Sequence, residues 1–125
     1  MKSGDTFQLV GVADQHLWVV ISDPQRFPEV VLFVNFTSLD KYADQTVILD
    51  PSDHSFVKHR TCVNYPRARV ATLDQLKELE QANRLRKTSP VTPELLAKIR
   101  DGASRSIRLR TEHLQILADQ ELIEL

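Results

Sequence analysis

The chain has 125 residues, 16 basic against 17 acidic side chains, and a formal net charge of −1. That length suits one domain with a single real core, and the near-neutral charge excludes an overall basic field that would by itself announce a nucleic-acid partner. One cysteine, Cys62, excludes a disulfide framework. A polar start with no apolar leader, and a longest apolar run of only residues 30–34, predict a soluble cytoplasmic protein with no membrane partner.

The first half reads as short strands between turns. Residues 6–10, Thr-Phe-Gln-Leu-Val, alternate with a period of two, as a half-buried strand should. Gly11 and the polar group Asp14-Gln15-His16 make a loop. Residues 17–21 are a β-prone run too short for a free-standing helix, stopped by Ser22-Asp23-Pro24. Residues 30–36, Val-Val-Leu-Phe-Val-Asn-Phe, form the clearest strand, and their unbroken apolar character predicts burial on both faces. Residues 46–49 predict a fourth strand, closed by the turn Asp50-Pro51-Ser52-Asp53. A fifth runs through Cys62-Val63-Asn64-Tyr65, has Pro66 at its edge, and resumes at residues 69–71.

The period then changes. Thr72-Leu73-Asp74-Gln75 has the capping-box form, and Leu73, Leu76, Leu79 and Leu85 keep helical spacing, which predicts a helix from Leu73 to about Leu85. Lys87-Thr88-Ser89-Pro90 reads as a connector. Thr92-Pro93-Glu94 starts a second helix with a hydroxyl cap, proline in the first turn and an acid near the positive end. Leu95, Leu96, Ile99 and Ala103 are its apolar face. Gly102 weakens it, and a break near residues 108–110 precedes a restart at Thr111. Strands followed by helices give an α+β class. The expected architecture is a small SH3-like curled β-barrel of about five strands over residues 1–71. Residues 72–125 follow as a helical extension of two or three helices packed on it, within one domain overall.

Three stretches in the first half carry a family resemblance. Gly4-Asp5-Thr6-Phe7 looks like a Gly-Asp opening into a first strand. Leu17-Trp18-Val19-Val20-Ile21-Ser22-Asp23-Pro24 is similar to a second strand of the form x-x-V-V-L-S-x. Val31-Leu32-Phe33-Val34-Asn35-Phe36-Thr37-Ser38 matches a buried strand ending in Thr-Ser. In this order they resemble the MazF/PemK toxins, whose family includes the CcdB-like fold, over roughly residues 4–70. The resemblance implies an endoribonuclease of a toxin–antitoxin system, a homodimer neutralised by a cognate antitoxin protein. It carries Thr37 and Ser38 over as catalytic. Where the family commonly has Arg-Pro before the second strand, this sequence has His16-Leu17-Trp18.

Cutting RNA through its own 2′-hydroxyl needs a base for that proton, an acid for the leaving 5′-oxygen, and donors for charge developing on phosphorus. Histidine suits both proton roles. Of His16, His54, His59 and His113, three fall in loops of the barrel half. His16, His59, Thr37 and Ser38 are therefore the catalytic candidates. Lys58, Arg60, Asn35 and His54 are the candidates for binding a single-stranded RNA substrate. The bland reading of His54 is a local hydrogen-bonded corner with the neighbouring turn. His54, His59 and Cys62 lack the paired spacing of a zinc site, so neither a metal nor another cofactor is expected. Trp18 and Tyr65 could stack on a base, but Trp18 sits in an apolar strand and reads better as core. The rival readings are a non-catalytic protein-interaction module on the same fold, and an RNA- or DNA-binding regulator using the basic clusters at residues 84–87 and 105–110.

Overall fold

The computed structural model describes residues 1–13 and 15–125; Asp14, placed by the sequence in the loop after the first strand, lies outside them. Strands β1 (Thr6–Leu9), β2 (Trp18–Val20), β3 (Val31–Ser38), β4 (Ile48–Leu49) and β5 (Thr61–Ala71) come first. Helix α1 (Leu73–Gln81), strand β6 (Leu85–Thr88), α2 (Pro93–Arg105) and α3 (Thr111–Asp119) follow. Every strand pairing is antiparallel, in the order β4-β5-β3-β2-β1-β6. Among the described residues the sheet is open, with two-residue β4 and four-residue β6 as its edges, so hydrogen bonds there do not close it into the expected barrel.

Alternation along β2 and β3 divides the core between the two faces of the sheet. Leu17, Val19, Ile21, Leu32, Val34 and Phe36 join one buried cluster with Leu95, Ile99 and Ala103 of α2 and Leu117 of α3. Trp18, Val20, Val31 and Phe33 join a second with Phe7, Leu85 and Leu76 of α1. Phe33 packs edge-on against both Phe7 and Trp18, with ring centroids 5.3 Å apart in each pair. This two-sided burial is why residues 30–36 read as continuously apolar.

The helix starts follow the sequence. Thr72 and Gln75 exchange reciprocal cap bonds of 3.0 and 2.9 Å, and Thr92 Oγ1 accepts from Leu95 N at 3.1 Å ahead of Pro93. The end of α1 corrects the sequence reading. The helix stops at Gln81, because Asn83 takes a left-handed conformation (φ 58°). Arg84 N donates to Leu79 O and Asn83 N to Glu80 O, which closes the helix end and turns the chain back. Residues 85–88, expected as the last helical leucine and a connector, then form β6 along β1 from Leu9↔Leu85 to Thr6↔Thr88. Leu85 is buried as a strand residue; its helical spacing from Leu79 is incidental. Likewise β5 is continuous through Pro66. Its register slips so that residues 65–68 stand opposite Val34, and this bulge absorbs the missing proline donor.

Gly102 is required by packing. A Cβ there would collide with the Val47 side chain and the Tyr65 hydroxyl, which donates to Ile99 O at 2.6 Å. Close by, buried Asp44 accepts from Ser106 Oγ (2.6 Å), Thr46 Oγ1 (2.6 Å) and Thr46 N (3.0 Å), tying the loop before β4 to the end of α2. Burial opposes its charge, but the Ser106 and Thr46 bonds and nearby Arg108 outweigh it and hold the carboxyl below the usual carboxylate range. A depressed folded pKa adds stability above the unfolded value, near about pH 4, and that stability disappears as pH falls through the folded value. The urea midpoint should therefore fall further on acidification from about pH 6 to about pH 3 in the native chain than in Asp44→Asn. Equal losses in the two would show that Asp44 carries no linkage.

Candidate functional site

The ends of β2 and β3, the loop between β4 and β5, and the end of β6 enclose an open groove of about 810 Å³. Six of the eight sequence candidates line it: His16, Thr37, Ser38, His54, Lys58 and His59. Asn35 lies instead in an adjoining cleft of about 420 Å³, which shares His16 and Thr37 with the groove. Arg60 is exposed and lines neither; its backbone carbonyl accepts from Leu39 N at 3.3 Å.

The histidines differ in how they are held. His16, half-buried just before β2, has Nδ1 3.0 Å from the Phe36 carbonyl oxygen. A carbonyl can only accept, so Nδ1 carries the proton and donates it. In the neutral ring Nε2 is then the unprotonated nitrogen, with no hydrogen-bond partner among the described residues. His59 Nε2 lies 2.9 Å from Ser38 Oγ, joining the loop before β5 to the end of β3. His54 is engaged at both nitrogens: Nε2–H donates to Ser89 O at 2.8 Å, and Nδ1 accepts from Phe56 N at 3.0 Å. It is the hydrogen-bonded corner that the turn beside it suggested, and it fastens this loop to the end of β6.

Among the described residues that line either cleft, none is an aspartate or glutamate, while Lys58, Arg67 and Arg69 are present. Both spaces therefore favour an anionic ligand. The sequence reading did not single out Thr88 and Ser89 of the groove, or Asn64, Arg67 and Arg69 of the cleft. The first pair reaches the site through the β1–β6 pairing, where Thr6 Oγ1 meets Thr88 Oγ1 and Ser89 O at 2.6 Å each. The second set spans the β5 bulge, with Asn64 before it, Arg67 within it and Arg69 after it.

Among the described residues no group of three His, Cys, Asp or Glu side chains converges as metal ligands. Cys62 is buried in the sheet, with its thiol pushed up to about 11 by burial and by Asp44 and Asp40. Trp18 is 5% exposed and Tyr65 fully buried, so both are core residues first. Among the described residues no helix is long and apolar enough to cross a membrane.

No family model matches the chain, and no curated protein matches it. The fold itself has a solved counterpart. The chain is similar to one in the complex of an endoribonuclease with its cognate antitoxin from mycobacterial species, at a TM-score of 0.54 and 19% identity, over 88% of this chain and 95% of that one.

Proposed function

We propose that this protein is the toxin of a toxin–antitoxin system, a metal-independent endoribonuclease that cuts single-stranded RNA. The observation that carries the reading is the convergence of His16, Thr37, Ser38, Lys58 and His59 on one groove whose described lining contains no acid. The likeness in fold to a chain of an endoribonuclease–antitoxin complex supports it.

In this mechanism His16 Nε2 takes the proton of a ribose 2′-hydroxyl, and the freed oxygen attacks the adjacent phosphorus. The bond from phosphorus to the 5′-oxygen breaks, and protonated His59 supplies that oxygen with its proton. Ser38 orients the His59 ring, and Thr37 and Lys58 donate to the phosphate oxygens as charge builds. Arg60 draws the strand in from the rim, and His54 keeps the wall in place. The working form is a cytoplasmic homodimer held inactive by its antitoxin.

The test is incubation of the purified chain with an unstructured RNA oligonucleotide in the presence of a chelator. Products should end in a 2′,3′-cyclic phosphate and a 5′-hydroxyl, and a single 2′-deoxy substitution at the cut nucleotide should stop the reaction. RNA left intact by folded protein would overturn the enzyme and leave a non-catalytic interaction module.

A further inference from the structure

The cleft beside the groove is polar where strand alternation calls for apolar residues. Val31, Phe33, Asn35 and Thr37 project to one face of β3, and the first two are packed in the cluster that Leu76 of α1 completes. Asn35 continues their row at 3% exposure, yet its Oδ1 finds no hydrogen-bond partner among the described residues. Buried amide oxygens in folded proteins are nearly always paired, so this one calls for a donor, which a half-turn of the Asn35 amide would let a ligand in the cleft supply. By register Asn35 stands between Trp18 on β2 and Asn64 on β5. Arg67 and Arg69 border the same space, with the Arg69 guanidinium 5.1 Å from the centre of the Trp18 ring. None of the described lining residues is acidic, and His16 and Thr37 open the cleft directly onto the groove.

We infer that this cleft is a nucleobase pocket for the nucleotide next to the cut bond, in which Asn35 selects a base bearing an exocyclic amine. The inference rests on the ribonuclease reading for its substrate class. Adenine and cytosine present an amine hydrogen beside a ring-nitrogen acceptor, which matches the acceptor and donor of an amide side chain. Uracil sets a carbonyl where the amine would stand, acceptor against acceptor. Arg67 and Arg69 hold the flanking phosphate, and Asn64 supplies the second amide from the opposite strand.

Oligo-dC and oligo-dU of equal length lack the attacking hydroxyl, and both are pyrimidines, so they isolate recognition from cleavage. Anisotropy of end-labelled oligomers gives affinity for the full chain, and emission of Trp18, the sole tryptophan, reports entry into the cleft. Oligo-dC should bind roughly tenfold to a hundredfold more tightly than oligo-dU. Asn35→Ala should bring the two within about twofold, and Asn64→Ala, at a half-buried position less exposed to folding failure, should narrow the gap as well. Equal binding by the native chain, or a preference retained in both folded variants, overturns the pocket. RNA cleavage without base preference would do the same while leaving the ribonuclease standing. Selective binding with no cleavage of RNA would keep the pocket and remove the enzyme, and no binding to either oligomer would overturn the pocket while the ribonuclease stands or falls on RNA cleavage.

Discussion

Replacing His16 with alanine should slow RNA cleavage by roughly two to four orders of magnitude, the usual worth of a general base, with the fold intact. The ring is half-buried at the mouth of two clefts, and its tautomer is set by one bond to the Phe36 carbonyl. Losing that bond costs about 1 kcal/mol of stability, too little to unfold the chain. Single-turnover rates on one RNA, set beside urea midpoints, separate the two effects. His59→Ala should fall in the same range, and the double variant should lose less than the product of the two losses, because base and acid act in one step. A His16→Ala rate within about threefold of the native one would remove His16 from the chemistry.

Gly102→Ala should destabilise the protein by roughly 1–3 kcal/mol, opposite in sign to the usual effect of that change inside a helix. An added methyl normally favours a helix by about 1 kcal/mol over glycine. Here it would meet Val47 and the Tyr65 hydroxyl, both buried. Tyr65 cannot swing aside without giving up its 2.6 Å bond to the Ile99 carbonyl. Combining Gly102→Ala with Tyr65→Phe removes the colliding oxygen and should recover part of the loss. Chemical denaturation of the single and double variants reads this directly. A Gly102→Ala chain as stable as the native one would mean that the α2–β5 contact gives way easily.

The parts of the fold that local chemistry dictates were legible in the residues. Alternation found β1, the two-sided apolar run found β3, and the hydroxyl caps at Thr72 and Thr92 set two helix starts. β6 was not legible. Leu-Arg-Lys-Thr offers one buried residue in four, and the strand exists because β1, far away in sequence, presents a free edge to it. The same limit applies to the site. Histidines beside strand ends and the Thr37-Ser38 pair could be picked out one by one, and the groove unites them. Arg67 and Arg69 could not be assigned, because only the slipped register of β5 turns them toward Asn35 and Trp18.

The β1–β6 pairing also bears on when the groove comes into existence. Most of the groove is laid down between Ala13 and Thr61, and its last wall, Thr88 and Ser89, only after β5 and α1 have been made. Closing a contact across so long a stretch of chain is slow compared with forming a hairpin. A nascent chain halted between β5 and β6 therefore has His16, His54, His59 and the Thr37-Ser38 pair but no complete cleft to hold them. On the proposed ribonuclease reading, arming comes late in synthesis.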